Sequence, residues 1–239
     1  SDQIGALTTT QIPELKAAQL AAISTGSLAG FDSAQIESFS AVQIGGLKTE
    51  QIAALSSAQI AAIESQDIRG LTRQQVTALG SDQVGGLTSD QVAAITTTQM
   101  GALTAAEVKA LSTTQVQAID TADVAALTST QVAALGTDQI AAFSANQLAG
   151  LESADIAMWS SQQINAMDDI TALSSMQIAS LATDALRGLS NAHIEAFNAD
   201  TARALTSAQM QSFSGAQLNR LTTGALQGID TSDISQLST

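Results

Sequence analysis

The sequence predicts an all-α fold, a superhelical solenoid of very short helices with one helix in each eight-residue repeat. The first observation is the period itself, because octads such as Q-V-A-A-I-T-T-T (residues 91–98) follow one another from Gln3 to Thr239. The second is a helix-start signal in every octad, and the third is that a period of eight does not fit one continuous helix. Self-similarity at a fixed short period is typical of repeat architectures.

The helix-start signal combines a capping box with a hydrophobic staple. An apolar residue at N′ (Ile95) precedes a hydroxyl residue at the N-cap (Thr96), and Gln99 and Met100 follow at N3 and N4. The N-cap hydroxyl can accept the N3 backbone N–H while the Gln side chain accepts the N-cap N–H, and the N′ and N4 side chains pack together. One such signal per octad predicts one new helix per octad.

One long helix is excluded by geometry. At about 100° per residue, an apolar stripe with a period of eight would drift by roughly 80° in each repeat. The chain must therefore bend at every N-cap, which leaves helices of about five or six residues that are too short to be stable alone. Stacked octads must share a core, and we expect each coil to contain about two and a half to three octads.

The residues at N′ and N4 are the predicted core. The small residue before each N′ (Ala94, Ala102, Ala110) is expected to let helices approach closely. The Gln at N3 is expected to contribute about 1 kcal/mol or less, as one half of a capping box.

We predict one solenoid over residues 1–239, with a regular array over 3–162, a two-residue deletion near 163–169, and a more polar, degenerate array over 169–239. Pro13 falls at N5, where it predicts a distorted or shortened helix. Glycines also recur at an interval of forty residues, as at Gly30, Gly70 and Gly150. This interval indicates either a duplicated unit of five octads or two coils of two and a half octads.

Two irregular stretches have a functional and a structural interpretation. Met158 and the single Trp159 lie beside the deletion, where they could form a binding spot, but the core position of Trp159 and Met167 favours a packing correction. Beyond the deletion the N5 position becomes polar. This change predicts either a surface that binds a partner or polar side chains that only face solvent. The residues concerned are Arg187, Glu195, Arg203, Gln211, Asn219 and Gln227.

Charge and composition exclude several classes of partner and of cellular location. The net charge is −14 with only eight Lys and Arg, which opposes binding to nucleic acid or to an anionic membrane surface. No apolar run reaches transmembrane length, so membrane insertion is not expected. Ser1 is not an initiator and no signal peptide follows it, so we expect a fragment of a longer array. Terminal residues such as Ile4, Leu7, Ile234 and Leu237 should then be partly uncovered.

No catalytic, cofactor-binding or metal-binding residue is predicted, and we do not expect an enzyme. His193 is the single histidine and occupies a Gln position, so a capping contact is expected. The Ser and Thr residues lack a His base, and a zinc site is excluded without cysteine. No calcium loop occurs, and weak calcium binding by Asp168 with Asp169 is an alternative that is not favoured. The acidic pairs at N-cap and N3 spacing, Asp120 with Asp123 and Asp230 with Asp233, should favour a helix N-terminus.

The motif L-[ST]-x-x-Q-[IV]-x-A-L resembles the Ala-, Thr- and Gln-rich tracts of very large bacterial exoproteins described as adhesin-like or haemagglutinin-like. This resemblance implies a secreted or cell-surface location and a structural spacer that projects a distal module. Residues 87–95 are also similar to the helix start of transcription-activator-like effector repeats, but no repeat of about 34 residues and no base-reading dipeptide follows. The alternative is a solenoid that binds a protein or peptide. The expected partners are neighbouring repeats and, for the alternative, a protein ligand on the 187–227 polar face.

Overall fold

The computed structural model describes residues 5–234, and all regular structure in that range is helical. Each octad forms one short helix, as predicted. The chain folds as two compact units, Ser1–Ala126 and Leu127–Thr239. The deletion near 163–169 lies inside the second unit.

The α-helices of the described residues are four to six residues long. In the first unit they are α1 Ala17–Leu20, α2 Thr25–Leu28, α3 Ser33–Glu37, α4 Ala41–Gly45, α5 Thr49–Ala54, α6 Ser57–Ala61, α7 Arg73–Thr77, α8 Ser81–Gly85, α9 Ser89–Ala94, α10 Thr97–Met100, α11 Ala105–Ala110, α12 Thr113–Gln117 and α13 Thr121–Val124. In the second unit they are α14 Ser129–Ala134, α15 Thr137–Ala142, α16 Ala145–Gly150, α17 Ser153–Ile156, α18 Ser161–Asn165, α19 Ser175–Ser180, α20 Thr183–Arg187, α21 Asn191–Glu195, α22 Ala199–Ala204, α23 Ser207–Ser212, α24 Gly215–Leu218, α25 Thr223–Gly228 and α26 Thr231–Ile234. Three octads contain a 3₁₀ helix instead, η1 Ile12–Glu14, η2 Ile68–Gly70 and η3 Ile170–Ala172.

Two extended residues form each corner between helices. Between α9 and α10 they are Ile95 (φ −59°, ψ 136°) and Thr96 (φ −82°, ψ 156°), at the N′ and N-cap positions. Any L-residue adopts these angles, so the corners do not require glycine. The extended N′ residue points its side chain inward while the N-cap residue turns the chain into the next helix.

Three octads make one coil. Each helix packs against the helix three octads away, as in the pairs α8 with α11, α19 with α22, and α22 with α25. The interpretation of the forty-residue glycine interval as two coils of two and a half octads is therefore wrong, because five octads are not a whole number of coils. A duplicated unit remains compatible with the structure.

The core consists of the N4 and N′ side chains, as predicted. At N4, Val92 and Met100 are completely buried, whereas Ile95 and Leu103 at N′ retain 7% and 5% exposure. The difference follows from geometry, since N4 points at the centre of the coil and N′ lies at a corner. Trp159 is a corner residue of this kind, and it is buried with its indole N–H donated to the Val132 carbonyl at 3.2 Å. The packing interpretation of Trp159 is confirmed.

Small residues before N′ allow the helices of successive coils to approach to backbone contact. A Cβ atom added to Gly70 would overlap the backbone of Ala41, and one added to Gly228 would overlap the backbone of Ala199. Both partners begin the helix one coil earlier. The predicted role of Ala and Gly at this position is confirmed.

Pro13 and the deletion both produce 3₁₀ helices. Pro13 lies in η1, where the expected distortion is confirmed and the helix is limited to three residues. The deletion is followed directly by η3, so the octad after the deletion has a 3₁₀ helix in place of an α-helix. Near the termini, Ile234 is 50% exposed and Leu7 is half-buried, while Ile4 and Leu237 lie outside the described residues.

A matched pair of glycine substitutions tests the close approach. Gly228→Ala should destabilise the protein by about 1 to 3 kcal/mol because its Cβ meets backbone atoms that cannot move aside. Gly215→Ala, at a helical position with no atom within 4 Å of an added Cβ, should instead stabilise it by about 0.5 to 1 kcal/mol. Urea denaturation of both variants measures the difference, and equal midpoints would contradict the close approach.

Candidate functional site

The N3 carboxamide makes the predicted capping box. In α9, the Gln91 N–H is donated to Thr88 Oγ1 at 3.1 Å, and the Thr88 N–H is donated to Gln91 Oε1 at 2.8 Å. Where the N-cap has no hydroxyl, the second half persists, since the Gly80 N–H is donated to Gln83 Oε1 at 2.8 Å. The Gln acceptor is therefore the more constant half of the box.

The same carboxamide also binds the octad four repeats earlier, a contact that the sequence pattern did not predict. Gln99 Nε2 donates to the carbonyls of Ile68 at 2.9 Å and Leu71 at 2.7 Å. These are the N4 and N′ residues of that earlier octad, at the C-terminal end of its helix. The Ile68 carbonyl also accepts the Leu71 N–H at 3.1 Å, whereas the Leu71 carbonyl lies beyond the helix, where intrahelical donors run out. One Gln side chain thus begins its own helix and caps the end of another.

We call this set of contacts the glutamine ladder. In the first unit its members are Gln35, Gln43, Gln51, Gln59, Gln75, Gln83, Gln91, Gln99 and Gln115. In the second unit they include Gln163, Gln177, Gln209 and Gln217.

The ladder places Gln inside the protein. Gln99 is 3% exposed and Gln51 is 1% exposed, which buries groups that would be expensive to leave without partners. The sequence-based expectation that the N3 Gln stabilises the protein by about 1 kcal/mol or less considered only the capping box. It therefore omits the cross-coil hydrogen bonds. The missed signal was the preference for Gln over Glu, because both complete a capping box but only Gln has an N–H to donate.

Aspartate at N3 makes a different connection. The shorter side chain contacts the first residue of the helix three octads earlier, not the end of the helix four octads earlier. Asp67 accepts the Ala41 N–H at 2.7 Å, while Asp155 and Asp233 accept the hydroxyls of Ser129 and Ser207. The octads of Asp67, Asp123, Asp155 and Asp233 also carry an acidic residue at the N-cap position, namely Glu64, Asp120, Glu152 and Asp230. Of these, Asp120 and Glu152 make no side-chain cap.

Burial changes the pKa of two aspartates at N3, Asp67 and Asp123. Burial raises the pKa of Asp67 above its usual value, an effect opposed by the Ala41 N–H and reinforced by Glu64. Burial likewise raises the pKa of Asp123 above its usual value, and the nearby charge of Asp120 raises it further. The hydrogen bond from the Thr97 side chain and the charge of Arg69 act in the opposite direction. The expectation that Asp120 and Asp123 simply favour a helix N-terminus is therefore incomplete, because Asp123 is buried against the neighbouring coil.

Glu107 occupies a ladder position where a carboxylate is mismatched. It accepts the Thr104 N–H at 2.6 Å, which completes the capping box, and it is buried. The corresponding Gln side chains on either side, Gln99 and Gln115, use their N–H groups to bind carbonyls, and a carboxylate has none. Burial raises the pKa of Glu107 above its usual value, with the Thr104 N–H and hydroxyl acting in the opposite direction.

His193 substitutes for Gln in the ladder. Its Nδ1 lies 2.8 Å from Ser190 Oγ, and its Nε2 lies 3.0 Å from the Met167 carbonyl oxygen. Because a carbonyl can only accept, Nε2 carries the proton and Nδ1 accepts from the hydroxyl. The predicted capping contact of His193 is confirmed, and its second nitrogen reproduces the ladder bond.

Asp169, one of the acidic residues beside the deletion, makes a local contact. Asp169 caps η3 by accepting the Thr171 N–H and hydroxyl at 2.8 and 2.7 Å. Over residues 5–234 no group of three or more His, Cys, Asp or Glu side chains could hold a metal ion.

The polar N5 residues of 187–227 are distributed around the coil. Arg187 and Gln211 lie on α20 and α23, which pack together, whereas Arg203 and Gln227 lie on the packed pair α22 and α25. The arginines are engaged locally, since Arg187 pairs with Asp184 at 3.0 Å and Arg203 with Asp200 at 2.9 Å. Arg220 similarly pairs with Glu195 at 2.9 Å.

Comparison with known proteins identifies a repeat. The ALTTAQ repeat family model matches this chain at residues 60–97, 92–129 and 116–152. The three matches begin at equivalent N4 positions of different octads, Ile60, Val92 and Val116. A search of curated proteins gives no significant match. Across residues 5–234, none of the helices has the length and apolar character needed to span a membrane.

Replacing Gln99 with Ala tests the ladder. Gln99→Ala should destabilise the protein by about 2 to 4 kcal/mol, because the Leu71 carbonyl and the Thr96 N–H lose their partner and the Ile68 carbonyl keeps only the Leu71 N–H. Gln74→Ala, at an exposed position in α7, is the matched control and should change stability by less than about 0.5 kcal/mol. Chemical denaturation measures both values, and similar small effects would show that the ladder contributes little.

Glu107→Gln should stabilise the protein at pH 7, since it restores a donor for the Val76 and Leu79 carbonyls. Because the pKa of Glu107 is raised on folding, the folded state binds this proton more tightly, and stability decreases as pH rises through that pKa. The advantage of the variant should therefore be largest at neutral pH and shrink towards about pH 4. Thermal unfolding at several pH values measures it, with the exposed Glu37→Gln as control. A constant difference at all pH values would contradict this assignment.

Proposed function

We propose that the chain is a structural repeat and spacer segment of a large bacterial secreted or cell-surface protein, in which it projects a distal module. The proposal includes no catalytic activity and no nucleic-acid partner. The observation that carries it is the glutamine ladder, because its cross-coil bonds run from side chain to backbone. Because the backbone acceptor is the same in every octad, one coil can stack on another whatever side chains the two coils expose.

The exposed surface supports a spacer in a second way. The exposed positions carry mainly small or short polar side chains, and the arginines of 187–227 are neutralised by neighbouring acids. A net charge of −14 favours solubility and opposes self-association. The match to a repeat family supports the repetitive construction, and the resemblance to exoprotein tracts suggests the extracellular setting.

The alternative is an interaction solenoid with a protein ligand on the 187–227 polar face. A binding surface requires its distinctive residues on one contiguous patch. Because successive octads occupy different faces, the six polar N5 residues do not meet this requirement together. The spacer is therefore the better-supported function.

A spacer requires each coil to add a fixed increment of length, which two spin labels can measure. The chain contains no cysteine, so Ala34→Cys and Ala106→Cys introduce unique labelling sites at exposed N2 positions of α3 and α11. Three coil steps separate them, and helices that pack about 8 to 10 Å apart predict roughly 24 to 30 Å between their axes. Deleting residues 60–83, one whole coil, should shorten the distance by about 8 to 10 Å.

The control is a deletion of one octad, residues 60–67, which moves the second label to another face without removing a coil. Distances measured by electron–electron double resonance should then distinguish the removal of a coil from the movement of one label to another face of the solenoid. An unchanged distance after the whole-coil deletion would mean that coils do not add length, and would overturn the spacer proposal.

A further inference from the structure

The glutamine ladder of the second unit is interrupted at Ala185. Gln177 Nε2 donates to the Leu151 carbonyl at 2.8 Å, and His193 Nε2 contacts the Met167 carbonyl at 3.0 Å. The residue between Gln177 and His193 in the ladder is Ala185, and the carbonyl between Leu151 and Met167 is that of Trp159. Ala185 has no group to donate, so this carbonyl receives no side-chain bond from its octad.

The N-cap of the same octad is also without a polar side chain. Ala182 stands where most octads carry Ser or Thr, and α20 has no side-chain cap. The other Ala at N3, Ala225, differs, because Thr222 Oγ1 at its N-cap donates to the Phe197 carbonyl at 3.3 Å. The octad of α20 therefore lacks both of the side chains that serve this carbonyl elsewhere.

An open cavity at the surface adjoins the position of the missing side chain. It has a volume of about 430 Å³, and its lining includes Met158, Trp159, Ser161, Ala182 and Ala185. Ala182 and Ala185, the N-cap and N3 residues of this octad, both contribute to the lining, and Ala185 is buried. The cavity is therefore bordered by the residue that lacks the ladder side chain and by Trp159, which carries the unmatched carbonyl.

We propose that this cavity is a binding site for a primary carboxamide. Relative to Gln, Ala185 lacks two carbons, one oxygen and one nitrogen, which are the heavy atoms of acetamide. A bound amide NH₂ would donate to the Trp159 carbonyl, as Gln177 does to Leu151, and its oxygen would accept the Ala182 N–H. The carboxamide comes either from a small amide or from an Asn or Gln side chain of another polypeptide.

The geometry also sets the specificity. The ligand must donate to a carbonyl and accept from an N–H within one planar group, which a primary amide does and a carboxylate does not. N,N-dimethylacetamide retains the oxygen and the apolar surface but has no N–H. Acetate is excluded for the same reason, and the net negative charge of the chain opposes it further.

Titration followed at the single tryptophan tests the proposal. Acetamide should shift the Trp159 indole resonance of the full chain saturably, with half-saturation at about 1 to 100 mM, as expected for so small a ligand. N,N-dimethylacetamide and acetate should give no saturable shift. Nα-acetyl-glutamine amide distinguishes the two sources, because saturation by it shows that the cavity admits a side chain attached to a backbone, whereas saturation by acetamide alone limits the site to small amides.

Two variants separate binding from a general solvent effect. Ala185→Gln supplies the carboxamide within the chain, and should abolish the acetamide shift while raising the melting temperature by about 2 to 4 °C. Ala225→Gln, at the other Ala of this type, should leave the shift unchanged. The proposal is overturned if acetamide gives a linear response equal to that of N,N-dimethylacetamide, or if the saturable shift survives in Ala185→Gln. The comparison of ligands on the unsubstituted chain remains decisive if either variant folds poorly.

Discussion

The structure depends on the two-sided hydrogen bonding of one carboxamide. A helix of four to six residues does not form alone, because its nucleation cost is repaid by very few internal bonds. The N3 Gln accepts the N–H that starts its own helix and donates to the carbonyls that end another, four octads earlier. Local helix formation and coil stacking therefore occur together. Neither the capping box nor the apolar core would by itself fix which octad lies beneath which.

Substitutions at N3 show which part of this role each side chain retains. Asp keeps a cross-coil contact but moves it to the start of the helix one coil earlier, as Asp67 does with Ala41. His193 keeps the donor through its imidazole N–H, and Glu107 keeps only the acceptor. Ala185 keeps neither. The array tolerates these changes because each rung is independent of the next, which is the expected behaviour of a quasi-one-dimensional fold.

The sequence predicted the helices and the core but not their stacking. Periodicity and the capping signal were sufficient for the one-helix-per-octad fold, for the buried N4 and N′ residues, and for the distortion at Pro13. They could not choose between two and a half and three octads per coil, because every octad presents the same apolar pair whichever octad it meets. The second role of Gln99 was also hidden, since a capping box accounts for its oxygen and leaves its N–H groups unexplained. The near-absence of Glu at N3 was the available signal.

The side-chain-to-backbone character of the ladder also explains how the chain can vary without losing its fold. A carbonyl is the same acceptor in Leu71 and Met167, so the partner residue is free to change as long as it stays apolar. Sequence identity is then concentrated at N′, N-cap, N3 and N4, and the family matches begin at equivalent positions within residues 60–152. In a regular array, the loss of one side chain also leaves a backbone carbonyl without the donor that the equivalent carbonyls have. At Ala185 the chain therefore lacks the carboxamide that Gln177 and Gln209 supply in their own octads, and the proposed ligand is a carboxamide of the same kind.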